Sequence, residues 1–231
     1  MWQFLPKFAT ELSDLVLARE CIGCEELGTL LCAPCRNKVS GRAHIMRDLR
    51  FDELAEDLRI PLAIAYRYGP PVDAMIYRYK DNQIPELASV LSMLLAGSIQ
   101  QLASSEPDGS QKPLLIPIPS RDASVRARGF DPMVLISRHL SRAGYPIAHW
   151  LIDQRTAGRS KTLGTADRKN ASYDAFRVRA IPDRYVRNPI PAIVIDDVAT
   201  SGTTFTAAVS QLLLSGVHVS GCAAIAGARK L

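Results

Sequence analysis

The sequence predicts an α/β fold, a mostly parallel sheet with flanking helices, preceded by a small four-cysteine element. Three observations predict it. Short apolar strands alternate with amphipathic helical stretches between residues 60 and 226. An apolar strand near the C-terminus runs into two acids and a hydroxyl-rich turn, AIVIDDVATSGTTF at 192–205. Four of the five cysteines fall within residues 21–35 as two C-x-x-C pairs.

The chain has 231 residues, 47% of them hydrophobic, enough for one substantial domain and a small appendage. Its net charge of +5 points to anionic partners without choosing among phosphates, nucleic acid and a membrane surface. No run of eighteen apolar residues occurs, so no membrane span is expected. The first twenty residues do not read as a secretory signal. Lys7, Glu11 and Asp14 interrupt the apolar stretch, and Leu5, Phe8, Leu12, Leu15 and Val16 recur at helical spacing. An amphipathic helix in a cytosolic protein is the expectation.

The elements follow in order. Residues 1–57 read as one unit: the helix, the cysteines and a charged segment. The α/β domain is expected from 58 to 231. Its first strand is 60–68, then a short helix at 72–80. A strong helix spans 86–102, with Leu87, Val90, Leu91, Leu94 and Leu95 on one face. A polar loop leads to a strand at 114–118. The basic stretch RDASVRARGFDP at 121–132 reads as a loop, followed by a helix at 133–143. A short strand is expected at 148–152, and residues 153–187 read as polar and basic. The strand 193–195, the helix 205–214 and the strand 217–226 complete the domain. Gly216 suits the end of that last helix, and Cys222 reads as a small buried hydrophobe.

The 192–205 stretch carries the chemistry. In open α/β sheets ligands bind beyond the carboxyl ends of the strands, where Asp196 and Asp197 are expected. Thr200, Ser201, Gly202, Thr203 and Thr204 then turn the chain into a helix. The free N–H groups and positive dipole end of such a helix suit a phosphate. Gly202 lets the backbone approach closely. Carboxylates beside a phosphate site make sense if the ligand also carries sugar hydroxyls and a magnesium ion. A phosphorylated ribose has both. A P-loop would need a lysine where Thr203 stands, and no G-x-G-x-x-G occurs. The alternative is an ordinary capped strand-to-helix turn.

The segment IVIDDVATSGTT resembles the phosphoribosyl-pyrophosphate (PRPP) loop of type I phosphoribosyltransferases. With the cysteines and the RGF segment, the chain resembles the ComF family over nearly its whole length. The resemblance implies a type I phosphoribosyltransferase-like fold. It implies that Asp196 and Asp197 hold the ribose diol, and that Ala199, Thr200, Ser201, Gly202, Thr203 and Thr204 form the 5-phosphate loop. In IPIPSRDASVRARGFDP, Arg128 and Gly129 match the family pattern, and Arg121 lies close before them. Asp131 and Pro132 replace the usual Asn and Gln. Arg128 first, Arg121 second and Lys80 of RYKDNQ are implied near the pyrophosphate, where cations are needed.

The cysteines match the family's four-cysteine element as Cys21-x2-Cys24-x7-Cys32-x2-Cys35. Two such knuckles with four thiolates suit a structural zinc. Paired disulfides and thioredoxin-like redox chemistry are the rival readings. In RSKTLGTADRKNASYDAF, Leu163, Arg168, Asn170 and Phe176 match the family's hood over the acceptor base. The family's Thr and Gln are missing, and Ser160 or Lys161 stands in the Gln place. Thr200 occupies a position where enzymes of 6-oxopurines carry an Asp, so that substrate class is not supported.

Three functions stay open. One is transfer of phosphoribosyl from PRPP to a nitrogenous base, with magnesium and release of pyrophosphate. The second is a PRPP- or nucleotide-sensing module without turnover. The third is a DNA-uptake factor that handles single-stranded DNA or a DNA-uptake protein partner. Residues 155–187 hold nine Lys or Arg against three Asp, an excess larger than the net charge of the chain. The superfamily also implies a homodimer.

Overall fold

A computed structural model describes residues 20–39, 45–104, 111–154 and 175–228. The expected N-terminal helix and the whole 155–174 stretch, with Ser160, Lys161, Leu163, Arg168 and Asn170, lie outside the described residues.

The fold is mixed α/β with a mostly parallel central sheet and flanking helices. The elements are α1 (Ala33–Val39), β1 (Ile45–Arg50), β2 (Arg59–Arg67), α2 (Val72–Lys80), a 3-10 turn at Pro85–Leu87, α3 (Ala88–Ala103), β3 (Leu114–Pro117), α4 (Asp122–Arg128), α5 (Pro132–Arg142), β4 (Leu151–Asp153), β5 (Phe176–Val178), α6 (Asp183–Arg187), β6 (Ala192–Ala199), α7 (Thr203–Leu214) and β7 (Val219–Gly227). The five-stranded sheet runs β1-β2-β7-β6-β3. Strands β2, β7, β6 and β3 are parallel, and β1 pairs antiparallel with β2 at one edge. Strands β4 and β5 form a separate antiparallel pair.

Strand alternation divides the core into two layers. Ala63, Leu115, Ile193, Ile195, Ala223 and Ile225 face one layer with α2, α3, α5 and the cysteine element. Leu62, Leu114, Ala192, Val194, Cys222 and Ala224 face the other, with α7 and the β4–β5 pair. Continuous apolar runs in β6 and β7 are what a sheet covered on both faces requires. Helix α3 is tied to the sheet by the buried Ser98 hydroxyl, which donates to the Ala224 carbonyl at 3.0 Å. One helix among the described residues, Pro85–Ala103, is long and apolar enough to cross a membrane by length and composition. It packs against β2 and β7 as a core helix.

Four expectations need correction. The basic stretch after β3 is not a loop: Asp122–Arg128 is helical, and none of its residues is buried. The strand expected at 193–195 extends to Ala199, because Asp196, Val198 and Ala199 still pair with Ala224, Ala226 and Gly227. The paired acids therefore lie within the strand rather than beyond it. Within the polar 153–187 stretch, Phe176–Val178 is a strand and Asp183–Arg187 a helix. Finally, β1 joins the central sheet from the charged segment ahead of residue 58.

Candidate functional site

Parallel pairing brings two loops side by side. Strand β3 is paired with β6 through Pro117 and Ile195, and the Ile118 N–H donates to the Ile195 carbonyl at 2.9 Å. The chain leaving β3 therefore runs beside Asp196. The result is a cleft of about 200 Å³ at the carboxyl edge of the sheet. It brings together Lys80 from the end of α2, Arg121, Ser124 and Arg128 from the β3–α5 connection, and Asp196, Asp197 and Thr204.

Asp197 is buried, and its Oδ2 lies 2.5 Å from Lys80 Nζ. The Asp197 N–H donates to Asp196 Oδ1 at 2.8 Å, which orients the neighbouring carboxylate. Lys80 is held by the residue before it. The buried Tyr79 hydroxyl donates to the Pro132 carbonyl at 2.7 Å, and its ring lies 5.6 Å from that of Phe130. Burial, then the negative charges of Asp197 and Asp131, raises the Tyr79 phenol well above its ordinary range. Tyr79 therefore stays a neutral donor and ties α2 to the segment that carries Arg128.

The hydroxyl-rich turn divides by position. Gly202 has φ +77 and stands at the start of α7, a left-handed geometry that favours glycine. Thr204 lines the cleft. Thr200, Ser201 and Thr203 are exposed, and the Ser201 and Thr203 hydroxyls lie 2.7 Å apart. Ala199 is buried, and its carbonyl accepts from the Ala228 N–H at 2.9 Å, which fixes the end of β6. Gly129, at φ +79, ends α4 with its N–H on the Val125 carbonyl at 2.8 Å. Its role is to turn the chain.

Arg128 is partly buried and Arg121 exposed, and both line the cleft, whereas Arg126 does not. Ser120 and Ser124 also line it, and sequence reasoning missed both. The available signal was the position of Ser120, just past the end of a parallel strand. Asp131 caps α5 by accepting from the Met133 N–H at 2.9 Å. Pro132 at the first helical position needs no N–H partner.

The four-cysteine cluster forms a second site. Its sulfur atoms all lie within 4.8 Å of one another, and Cys24 Sγ and Cys32 Sγ are 3.6 Å apart. Tetrahedral zinc with Zn–S near 2.3 Å sets sulfurs about 3.8 Å apart, so the group can hold a metal ion such as zinc. Burial alone would raise the Cys21 thiol, but backbone N–H groups of Cys32, Gly23 and Cys24 bring it down to about 6. Hydrogen bonding with Cys32, then burial, pushes Cys35 up to about 12. A bound cation relieves that competition among the thiols. A Cβ on Gly23 would lie 2.8 Å from Cys35 Sγ, so the knuckle needs glycine there.

Of the nine basic residues at 155–187, Arg177, Arg179, Arg184 and Arg187 are described, and all are exposed. Arg187 pairs with Asp183 at 3.4 Å, and Arg184 covers the Tyr185 ring at 4.8 Å. They do not line the cleft. Neither a family model nor a curated protein matches the chain.

Proposed function

We propose that the chain is a type I phosphoribosyltransferase-like protein of the ComF kind that binds PRPP with magnesium in the cleft. One observation carries this reading. Lys80, Arg121 and Arg128 gather with Asp196 and Asp197, beside Thr204 at the start of a twelve-residue helix. Cations suit the pyrophosphate, carboxylates the ribose hydroxyls, and the helix start the 5-phosphate. The carboxylate oxygens of Asp196 and Asp197 are hard donors that also suit magnesium.

In the transfer, a nitrogen of the acceptor base attacks C1 of the ribose. The bond from C1 to the pyrophosphate oxygen breaks, pyrophosphate leaves with the electron pair, and the nitrogen releases its proton to solvent. Arg128, Arg121 and Lys80 stabilise the charge that grows on the leaving group. Asp196 and Asp197 orient the sugar through its 2- and 3-hydroxyls. Magnesium, when bound with PRPP, supplies further neutralisation of the pyrophosphate. The contribution of the protein is positioning and fixed charge, and no protein nucleophile is needed. Thr200 is exposed and lacks a carboxylate, which disfavours a 6-oxopurine acceptor. In the same reading, zinc on Cys21, Cys24, Cys32 and Cys35 is structural, because four thiolates leave it no open position.

Isothermal titration of PRPP with and without magnesium, into wild type and D196N/D197N, tests the reading. Magnesium-dependent binding that the double variant loses supports it. No binding by the folded, zinc-loaded wild type would overturn it. Pyrophosphate release with a panel of bases then separates an enzyme from a sensor.

A further inference from the structure

Helix α4 carries Arg121 at its N-cap, with Ser124 and Arg128 inside it, yet it buries none of its own residues. No apolar face fixes it on the sheet, so its placement depends on how its two ends are held. The leading end follows Ile118, which is hydrogen-bonded to β6. The trailing end turns at Gly129, and Phe130 packs against the core beside Tyr79. One side chain joins the two ends. Asp131 Oδ2 accepts from the Ser120 N–H at 3.2 Å, and Asp131 Oδ1 accepts from the Ser120 hydroxyl at 3.2 Å. The same Oδ1 accepts from the Met133 N–H at 2.9 Å, so the clasp is also the cap of α5.

We propose that Asp131 is a positioning residue. It closes the ten-residue segment between Ser120 and itself and thereby sets Arg121 and Arg128 for the pyrophosphate end of the ligand. The inference rests on the functional reading above. It makes a prediction whose sign is opposite to simple electrostatics. Asp131 is a negative charge on the loop that carries the cleft's two arginines, so removing it should tighten anion binding if only charge mattered. If Asp131 holds the arginines in place, removing it weakens that binding. The effect should be confined to the pyrophosphate end, because the 202–204 turn is anchored independently through β6 and α7.

The test titrates magnesium pyrophosphate and, separately, ribose 5-phosphate into the metal-loaded full chain. Loss of a cap and its clasp predicts that D131A binds pyrophosphate about tenfold more weakly, with ribose 5-phosphate within about twofold of wild type. D131N keeps an acceptor for Met133 but offers its amide to the Ser120 N–H, so it should fall between wild type and D131A. It also serves if D131A does not fold. Added to R121A/R128A, D131A should cause no further loss. Pyrophosphate binding by D131A or D131N that is unchanged or tighter would overturn the proposal, as would equal loss of both ligands. A wild type that binds neither ligand would instead sink the functional reading, and this inference with it.

Discussion

The ion pair between Lys80 and Asp197 offers a direct perturbation of the cleft. Lys80→Met keeps most of the stem and removes the cation. The partners lie 2.5 Å apart, with the Lys80 side chain 23% and the Asp197 side chain 9% exposed. Breaking a fully buried pair costs about 3–5 kcal/mol, because the remaining charge has lost its partner. An exposed pair is worth about 0–1 kcal/mol. The carboxylate end here is nearly dry and the ammonium end partly wet, so we expect a loss of about 2 kcal/mol. For a chain of this length each kcal/mol moves the midpoint by about 2–4 °C, which gives a fall of about 4–8 °C. D197N should cost less, since Lys80 can turn toward solvent. The double variant K80M/D197N should recover at least about 1 kcal/mol relative to the sum of the two single losses. Urea denaturation of the four proteins at neutral pH measures the coupling. It should persist in 1 M salt, where exposed pairs are screened over about 3 Å. A coupling below about 0.3 kcal/mol would refute the reasoning, because independent sites add to within that margin.

Three further outcomes follow from particular contacts. Gly23→Ala places a methyl 2.8 Å from Cys35 Sγ, so metal affinity, read by chelator competition, should fall at least about tenfold. Unchanged affinity would show that the knuckle can shift. Gly129→Ala meets nothing within 4 Å, so its cost is only that of holding φ +79, about 1–2 kcal/mol by denaturation. A loss well above 3 kcal/mol would mean that α4 is packed more tightly than its exposed residues indicate. Ser98→Ala removes the buried hydroxyl that donates to Ala224 and should cost about 1 kcal/mol, with no change in ligand binding.

How much of this could be read from the sequence depended on the kind of signal. The helices α3 and α5 were legible because their apolar residues recur at helical spacing and face the core. The helix α4 was not, because it has no apolar stripe and buries nothing. Strand β1 was hidden for a related reason. It is an edge strand whose Met46, Asp48 and Arg50 are exposed, and the one fully buried residue, Leu49, shares its face with the partly buried Arg47. The acids at 196–197 marked the cleft, yet they also masked the last residues of β6, since charges inside a parallel strand are unusual. The resemblance of the RGF segment points to Arg121 and Arg128 and that of RYKDNQ to Lys80, and all three line the cleft. The link from Ser120 to Asp131 is invisible in the sequence, because it spans a helix whose sequence reads as a loop.

In the proposed function, the carboxyl edge of the sheet holds a phosphorylated ribose. The most direct measurement is a crystal structure of the zinc-loaded chain grown with PRPP and magnesium. The 5-phosphate is expected at the 202–204 turn, the ribose hydroxyls on Asp196 and Asp197, and the pyrophosphate among Lys80, Arg121 and Arg128. A ligand bound elsewhere, with Lys80 still on Asp197 in an empty cleft, would contradict that function.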